Sequence, residues 1–376
     1  MEGFVQTVEG QTKLLVPKLS LTEKVPPKMP AFFNPVAKQS RDLSMLAYRA
    51  FAPRLKERTL ADGFTGVGAR AVRVATEVPE IEQVYGNDAN PTAVEAAKKS
   101  AELNSVSDKC RFSVNEVCKF LLAGNDGGER FGIVDLDPFG TPAQHVDCVL
   151  RATLDAGLVS ITATDTTVLH GVYPEVCHRR YYGRPLNNSY GNEIAVRLLT
   201  SMIALTASRL ELAIRPVFSH STMHYMRVYA QVSVSSSGAN KVYSNIGHVM
   251  HCFSCGHRFS AAEYAAEVTC ELCQHKMRVG GQLWTGPLHE KEFVAKMAEN
   301  ADGKSKKMLD AAADEIEIPY YFRGDEISSK LRTNPHSIPR IIEKMRAAGY
   351  KASMTSFDFG GFKTDARLDR IIDVLR

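Results

Sequence analysis

A short apolar run, Thr59-Leu60-Ala61, leads into the turn Asp62-Gly63-Phe64-Thr65-Gly66-Val67-Gly68, and a helical stretch follows it. No other feature limits the possible folds as much. Glycines at such a turn let the backbone reverse sharply and come close to a ligand. Strand-like and helix-like segments alternate around it. Residues 83–87 read as a strand, 91–104 as a helix with proline in its first turn, 111–114 and 132–136 as strands, 142–156 as a helix and 158–163 as a strand. This rhythm predicts a parallel sheet with helices on both faces.

Asp88 lies twenty positions after Gly68, at the end of the next strand. An acidic side chain there can accept both ribose hydroxyls of a nucleoside cofactor. A ligand-free strand-to-helix turn would use the glycines but not the spaced acid. The turn by itself leaves NAD and S-adenosylmethionine open, because Ala71 stands where the looser dinucleotide fingerprint allows alanine.

The run Ile133-Val134-Asp135-Leu136-Asp137-Pro138-Phe139-Gly140 discriminates between them. It falls at the carboxyl end of the fourth strand and resembles the [Asp/Asn]-Pro-Pro-aromatic motif of amino-methyltransferases. An exocyclic amino group is a poor nucleophile because its lone pair is delocalised into the ring. Asp137 can accept its N–H and neutralise the charge that builds up during transfer. Pro138 fixes the backbone, and Phe139 offers a face for a flipped base. A solvated turn after a buried strand is the bland alternative.

With these residues in hand, the chain is similar to the tRNA (guanine-26, N2) dimethyltransferases in their compact archaeal form. The resemblance is carried by Phe32-Phe33-Asn34-Pro35 with Arg41-Asp42, the glycine turn, Asn87-Asp88, Asp135 to Gly140, Thr162-Ala163-Thr164-Asp165 and Trp284-Thr285-Gly286-Pro287-Leu288. It implies tRNA as the partner. It also implies that S-adenosylmethionine is held by the turn (Asp62, Gly63, Gly66, Gly68), by Arg41 and Arg70 at the methionine end, by Asp88 at the ribose, and by Glu116 and Val117 beside the adenine. Asp137 would be the catalytic acceptor, with Phe32 and Phe139 sandwiching guanine. Three positions depart from the family pattern: Gly63 and Gly66 replace other small residues, and Glu116 replaces an aspartate.

Cys252-x-x-Cys255 and Cys270-x-x-Cys273 are separated by fourteen residues. Two such knuckles suit one tetrahedral zinc ion with four thiolates and no open position, hence a structural metal. His251, His257 and His275 lie nearby as less favoured ligands. The other cysteines (Cys110, Cys118, Cys148, Cys177) are scattered, and the first ten residues hold no apolar signal core. Together these point to a reducing compartment, the cytoplasm or nucleus. No apolar run is long enough to span a bilayer.

Net charge is +4, which permits a nucleic-acid partner without requiring one. Two segments suit RNA. His178-Arg179-Arg180-Tyr181-Tyr182-Gly183-Arg184 mixes rings with arginines. Near the C-terminus a helix over 325–331 precedes a second, capped by Ser337 with Pro339 in its first turn, and a hairpin turns at Gly360-Gly361. This predicts a helix-turn-helix with a wing. Lys330, Arg332, Arg340, Lys344, Arg346, Lys351 and Lys363 supply its charge.

The expected fold is therefore α/β. A Rossmann-like methyltransferase sheet over 1–238 is followed by an α+β domain over 239–376, with a zinc-ribbon-like module at about 248–280 and a winged-helix-like part at about 320–376. Two other readings compete: a non-catalytic, zinc-containing nucleic-acid-binding regulator and an NAD-dependent oxidoreductase. The first has no use for the Asp-Pro-Phe-Gly turn, and no residue set suggests a hydride acceptor site.

Overall fold

The structure, a computed structural model, describes residues 1–123, 130–222 and 224–376. The chain opens on an antiparallel hairpin of β1 (Phe4–Glu9) and β2 (Thr12–Pro17). The main sheet is built from β3 (Thr59–Asp62), β4 (Gln83–Asp88), β5 (Cys110–Val114), β6 (Phe131–Leu136), β7 (Thr153–Ala163), β8 (Leu212–Thr222) and β9 (Tyr225–Val234). Their order is β5-β4-β3-β6-β7-β9-β8. The first five run parallel, with Leu60 opposite both Val84 and Ile133. Every residue of β6 is buried, as expected of a strand covered on both faces.

From β3 the chain moves outward to β4 and β5, then returns to β6 on the other side of β3. The carboxyl ends of β3 and β6 thus flank a topological switch point, where open α/β sheets bind ligands. The helix Pro91–Leu103 ends within one residue of its predicted limit, and Asn90 caps it by accepting from Thr92 N.

The helix expected over 142–156 is shorter, Val146–Ala152, because β7 begins at Thr153. Thr153 already pairs with Phe131 of β6, and Gly157 marks where the two strands approach closely. A Cβ there would stand 2.8 Å from the Gly132 carbonyl, so the two backbones meet where only glycine fits.

The chain divides into two compact units. One comprises Met1–Pro138, Gln144–Thr162 and Tyr229–Val234; the other comprises Phe139–Ala143, Ala163–Val228 and Ser235–Arg376. The helix Gly191–Ser208 packs on β8 and on β12 (Arg278–Trp284), so it groups with the later residues. In the first unit Cys118 and Cys148 form a disulfide between the helices Val117–Leu122 and Val146–Ala152. This pairing departs from the expectation of scattered thiols. The two helices follow β5 and β6 and bring the cysteine Cα atoms to 5.5 Å, a proximity that no local spacing announces.

In the second unit β10 (Ile246–His251), β11 (Arg258–Ala261) and β12 form an antiparallel sheet in the order β11-β10-β12. A further antiparallel sheet, β13-β15-β14, joins β13 (Phe322–Arg323), β14 (Ala352–Met354) and β15 (Gly361–Thr364). Against it lie the helices Gly324–Leu331, Ile338–Ala347 and Leu368–Leu375, sharing a core of Phe322, Ile327, Ile341, Ile342, Met345, Phe362 and Ile371. Ser337 occupies the N-cap position, but its side chain makes no capping bond.

One of the seven cations assigned to the basic face is misplaced. Lys363 is 2% exposed, its ammonium 2.6 Å from Glu193 and 2.8 Å from Glu315. It lies on the inner side of its strand and neutralises two buried carboxylates. Among the described residues no helix is long and apolar enough to cross a membrane.

Candidate active site and metal centre

In the first unit, three carboxylates and one guanidinium gather at the ends of β3 and β6. Asp62 closes β3 and is 1% exposed, and neither carboxylate oxygen has a hydrogen-bond partner among the described residues. Burial, and then the charge of Asp135, push its pKa up to about 7. Gly63 N donates to the Asp135 carbonyl at 3.0 Å, which ties the turn to β6. Arg70 Nη2 donates to Asp137 Oδ2 at 2.5 Å, and its Nε lies 3.2 Å from Asp135 Oδ1. Tyr48 donates to the same Asp135 carboxylate and lies 3.1 Å from Ser160 Oγ. Asp137 keeps about a third of its side chain exposed, while Pro138 is buried.

The turn itself shows why glycine is needed. Gly66 and Gly68 take φ values of 54° and 82°. A Cβ on Gly68 would press on Ala97 and Val72 at 2.9 Å, whereas Gly66 faces open space apart from the Phe32 carbonyl at 3.4 Å. The open side at Gly66 and the unsatisfied Asp62 carboxylate fit a cofactor that carries an ammonium group and a ribose. S-adenosylmethionine meets both requirements.

Asp88 holds the turn as well as facing it. One oxygen accepts from Gly66 N and the other from Asn90 N, both at 2.9 Å. Each oxygen retains a lone pair for a hydroxyl. Glu116 caps the helix Val117–Leu122 by accepting from Lys119 N, and the backbone N–H groups of Cys118 and Lys119 lower its pKa. Val117 is buried beside the turn, 2.8 Å from where a Gly63 Cβ would sit.

Arg41 is engaged differently from Arg70. It makes a two-pronged bond to Glu9, with distances of 2.6 and 2.5 Å, donates to the Asn34 carbonyl at 2.9 Å and lies over the Phe33 ring. Phe33 is buried and Phe32 half-buried. Arg41 therefore pins the Phe32-Phe33-Asn34 segment, which borders the glycine turn. Glu9 also receives Arg73 at 2.9 Å, and its pKa is lowered even though burial opposes this. Sequence reading misses Glu9, Tyr48 and Ser160, since nothing local marks partners that are 32 to 112 residues away.

The Asp-Pro-Phe-Gly turn continues into the second unit. Phe139 is 60% exposed. Gly140 N donates to Thr164 Oγ1 at 2.6 Å, and Thr164 N donates back to the Gly140 carbonyl at 2.8 Å. Asp165 accepts from Tyr181 at 2.5 Å and from Arg180 at 3.1 Å. Of the arginine–tyrosine segment, Tyr181 is therefore interior, while Arg179, Tyr182 and Arg184 are exposed.

Also in the second unit, the Sγ atoms of Cys252, Cys255, Cys270 and Cys273 all lie within 4.8 Å of one another. Four thiolates at about 2.3 Å from one zinc ion would sit about 3.8 Å apart. The two knuckles are built alike: Cys252 N donates to the His257 carbonyl and Cys270 N to the His275 carbonyl, both at 2.9 Å. Gly256 and Gln274, each four residues after the first cysteine of its knuckle, both have left-handed backbones. This set fits a closed zinc site without the neighbouring histidines.

A family model described as N2,N2-dimethylguanosine tRNA methyltransferase matches residues 10–376. The tRNA (guanine(26)-N(2))-dimethyltransferase of Methanothermobacter thermautotrophicus is 34% identical over 377 residues, covering 98% of this chain and 97% of that protein. The tRNA (guanine(26)-N(2)/guanine(27)-N(2))-dimethyltransferase of Aquifex aeolicus is 29% identical over 374 residues, covering 97% and 94%. The solved structure of Trm1 from Pyrococcus horikoshii with S-adenosyl-L-methionine superposes with a TM-score of 0.83 at 25% identity, covering 98% of this chain and 99% of that one. A match of this length, over a site built as described, identifies the chain as a member of the N2,N2-dimethylguanosine tRNA methyltransferase family.

Proposed function

We propose that this chain transfers methyl groups from S-adenosylmethionine to the exocyclic N2 of guanosine 26 in tRNA, forming N2,N2-dimethylguanosine. The observation that carries this reading is the placement of Asp137. It directly follows the last residue of a fully buried strand at the switch point and is partly exposed, with Arg70 fixing one carboxylate oxygen. When bound, S-adenosylmethionine supplies a methyl group on a sulfonium, a leaving group that departs as a neutral thioether. Asp137 accepts an N–H of the guanine amino group, directs its lone pair out of conjugation and takes up the proton released. Pro138 holds the carboxylate's backbone rigid, and stacking on the base is assigned to Phe139 and Phe32.

Asp62 and Asp88 are assigned to the ammonium and ribose of the cofactor, with Gly63, Gly66 and Gly68 giving backbone access. Arg70 and Arg41 are assigned to the methionine end, Arg41 by fixing the segment around Phe33. Glu116 and Val117 are assigned to the adenine edge. Cys252, Cys255, Cys270 and Cys273 would hold a structural zinc ion in a ribbon-like module. The order β13, two helices, then the hairpin β14–β15 supports a winged-helix-like C-terminal part that binds tRNA. The proposed compartment is the cytoplasm. Incubation of the protein with unmodified tRNA and S-adenosylmethionine, followed by mass spectrometry of the digested nucleosides, tests the reading. Dimethylguanosine mapped to position 26 is expected; no methylated guanosine would overturn it.

A further inference from the structure

Phe253 lies inside the first cysteine knuckle, between Cys252 and Cys255, and is 48% exposed. A knuckle residue facing water is normally small or polar, so an aromatic ring there needs a reason. The ring is held from behind. His251 meets it edge-on with centroids 4.5 Å apart, and the His251 Nδ1 lies 3.1 Å from the Tyr190 hydroxyl. Both of those residues are buried, and Arg258 lies over the Tyr190 ring and the Phe322 ring. Phe253 therefore stands at the outer end of a packed aromatic and cationic stack and is fixed before any partner arrives.

Two cations lie at the knuckle. The Arg278 guanidinium lies over the Phe253 ring, 5.1 Å from its centroid. At the same knuckle, Lys330 brings its ammonium to 3.2 Å from where a Gly256 Cβ would sit. Arg278, Lys330 and the following Arg332 are exposed. An exposed, rigid ring beside a guanidinium plane and an ammonium matches the way proteins bind single-stranded RNA: rings and guanidinium planes stack on bases, and cations meet phosphates.

We propose that the first knuckle is a nucleotide-binding site for the RNA substrate. An unpaired base stacks on the Phe253–Arg278 pair, and Lys330 contacts an adjoining phosphate. The site rests on the reading of the protein as a tRNA-binding enzyme, and it lies among residues separate from those assigned to methyl transfer. Rigidity is what makes the ring effective, since little side-chain freedom is lost when the base arrives.

The test uses the full chain loaded with zinc and measures tRNA affinity across a salt series. Phe253→Ala should weaken binding roughly five- to 150-fold, the range for removal of one base–aromatic stack, without changing the salt slope. Phe253→Trp should restore it. Lys330→Ala should lower the slope by about 0.7 to 0.9 unit, as for one phosphate. Zinc content, melting temperature and S-adenosylmethionine affinity are measured on each variant and should match the parent. If the parent binds and methylates tRNA but Phe253→Ala binds as tightly, the knuckle site is refuted while the enzymatic reading stands. If the parent itself fails to bind tRNA, the enzymatic reading fails first. A loss of binding that tracks a loss of zinc would make Phe253 a support for the knuckle and would also overturn the proposal.

Discussion

Arg70 donates to Asp137 at 2.5 Å, so the proposed acceptor of the reaction is held by a guanidinium whose residue is itself 6% exposed. The same guanidinium lies 3.2 Å from Asp135, whose charge adds to burial in raising the pKa of Asp62. Two of the three acids at the switch point thus share one cation. The arrangement orients Asp137 but leaves Asp62 buried without an ion-pair partner of its own among the described residues.

Asp137→Ala should lower turnover by about 10²- to 10⁴-fold, the usual contribution of a positioned acid or base. Affinity for S-adenosylmethionine should stay close to the parent's, because the assigned cofactor ligands are intact. Single-turnover kinetics with calorimetry of cofactor binding would separate the two effects. Turnover within a few-fold of the parent would remove Asp137 from the mechanism.

Asp88→Ala should act on the cofactor instead. Its carboxylate accepts one backbone N–H from the glycine turn, at Gly66, and one from Asn90, in addition to the ribose hydroxyls assigned to it. A loss of about 2–3 kcal/mol in cofactor binding is expected, roughly 30- to 150-fold in Kd. Unchanged affinity by calorimetry would contradict the ribose assignment.

Asp62 makes a pH-dependent contribution of definite sign. Its folded pKa, about 7, lies above the unfolded value of 3.8, so the folded chain holds a proton that the unfolded chain gives up. That contribution is fully present below 3.8 and is lost as pH rises through 7. Histidines such as His145 and His248, whose pKa values are lowered by burial, act in the opposite sense: they destabilise the fold at low pH and cease to do so as pH rises past 6.5. The informative quantity is therefore a difference. Asp62→Asn should gain stability relative to the parent as pH rises from about 4 to 7, and then level off. Urea midpoints for both proteins across that window check this; parallel curves would mean that Asp62 is ionised throughout.

Cys252→Ser and Cys270→Ser should each lower bound zinc and melting temperature together, because a closed thiolate site contributes its binding energy to folding. Both cysteines are fully buried, and Met250 and Met277 pack with them in one small cluster. Metal analysis alongside calorimetric melting is sufficient. A well-folded parent without zinc would show that the four thiols serve only as packing.

What can be read from sequence follows from the range of each interaction. The glycine turn, the Asp-Pro-Phe-Gly run and the cysteine knuckles are contiguous or evenly spaced, so their residue types declare their chemistry. Arg41 stands out through the family pattern, but its partner Glu9 sits 32 positions away in an N-terminal hairpin with no motif. Cys118 and Cys148 are 30 apart and read as scattered. The helix expected to run to 156 gives way at Thr153 because pairing with Phe131 of β6, a residue 22 positions back, draws the chain into the sheet there. Burial of a charge is the least legible of all, since it depends on carboxylates brought in from elsewhere in the chain.

Lys363 makes that point testable. Counted by sequence, it belongs with the basic residues of the C-terminal part; in the structure it is enclosed with Glu193 and Glu315, and burial of this kind is tolerated only when the charges are paired. Arg340 and Lys344 lie on the helix Ile338–Ala347, whose Ile341, Ile342 and Met345 face the core. Arg346 is partly committed, its Nε donating to the Ala352 carbonyl at 2.9 Å. Reversing Arg340 and Lys344 to glutamate should therefore weaken tRNA binding and flatten its salt dependence by roughly 0.9 unit for each phosphate no longer neutralised. The melting temperature should barely move. Lys363→Met should do the reverse: it leaves two buried carboxylates without their ammonium, so it should destabilise the fold by about 3–5 kcal/mol while leaving the salt slope of the surviving folded protein unchanged. Filter binding across a salt series and denaturant unfolding on the same preparations distinguish the two. If the double reversal bound tRNA with the parent's affinity and slope, this helix would be a structural support, and the exposed Arg179 and Arg184 would be the stronger candidates for the RNA surface.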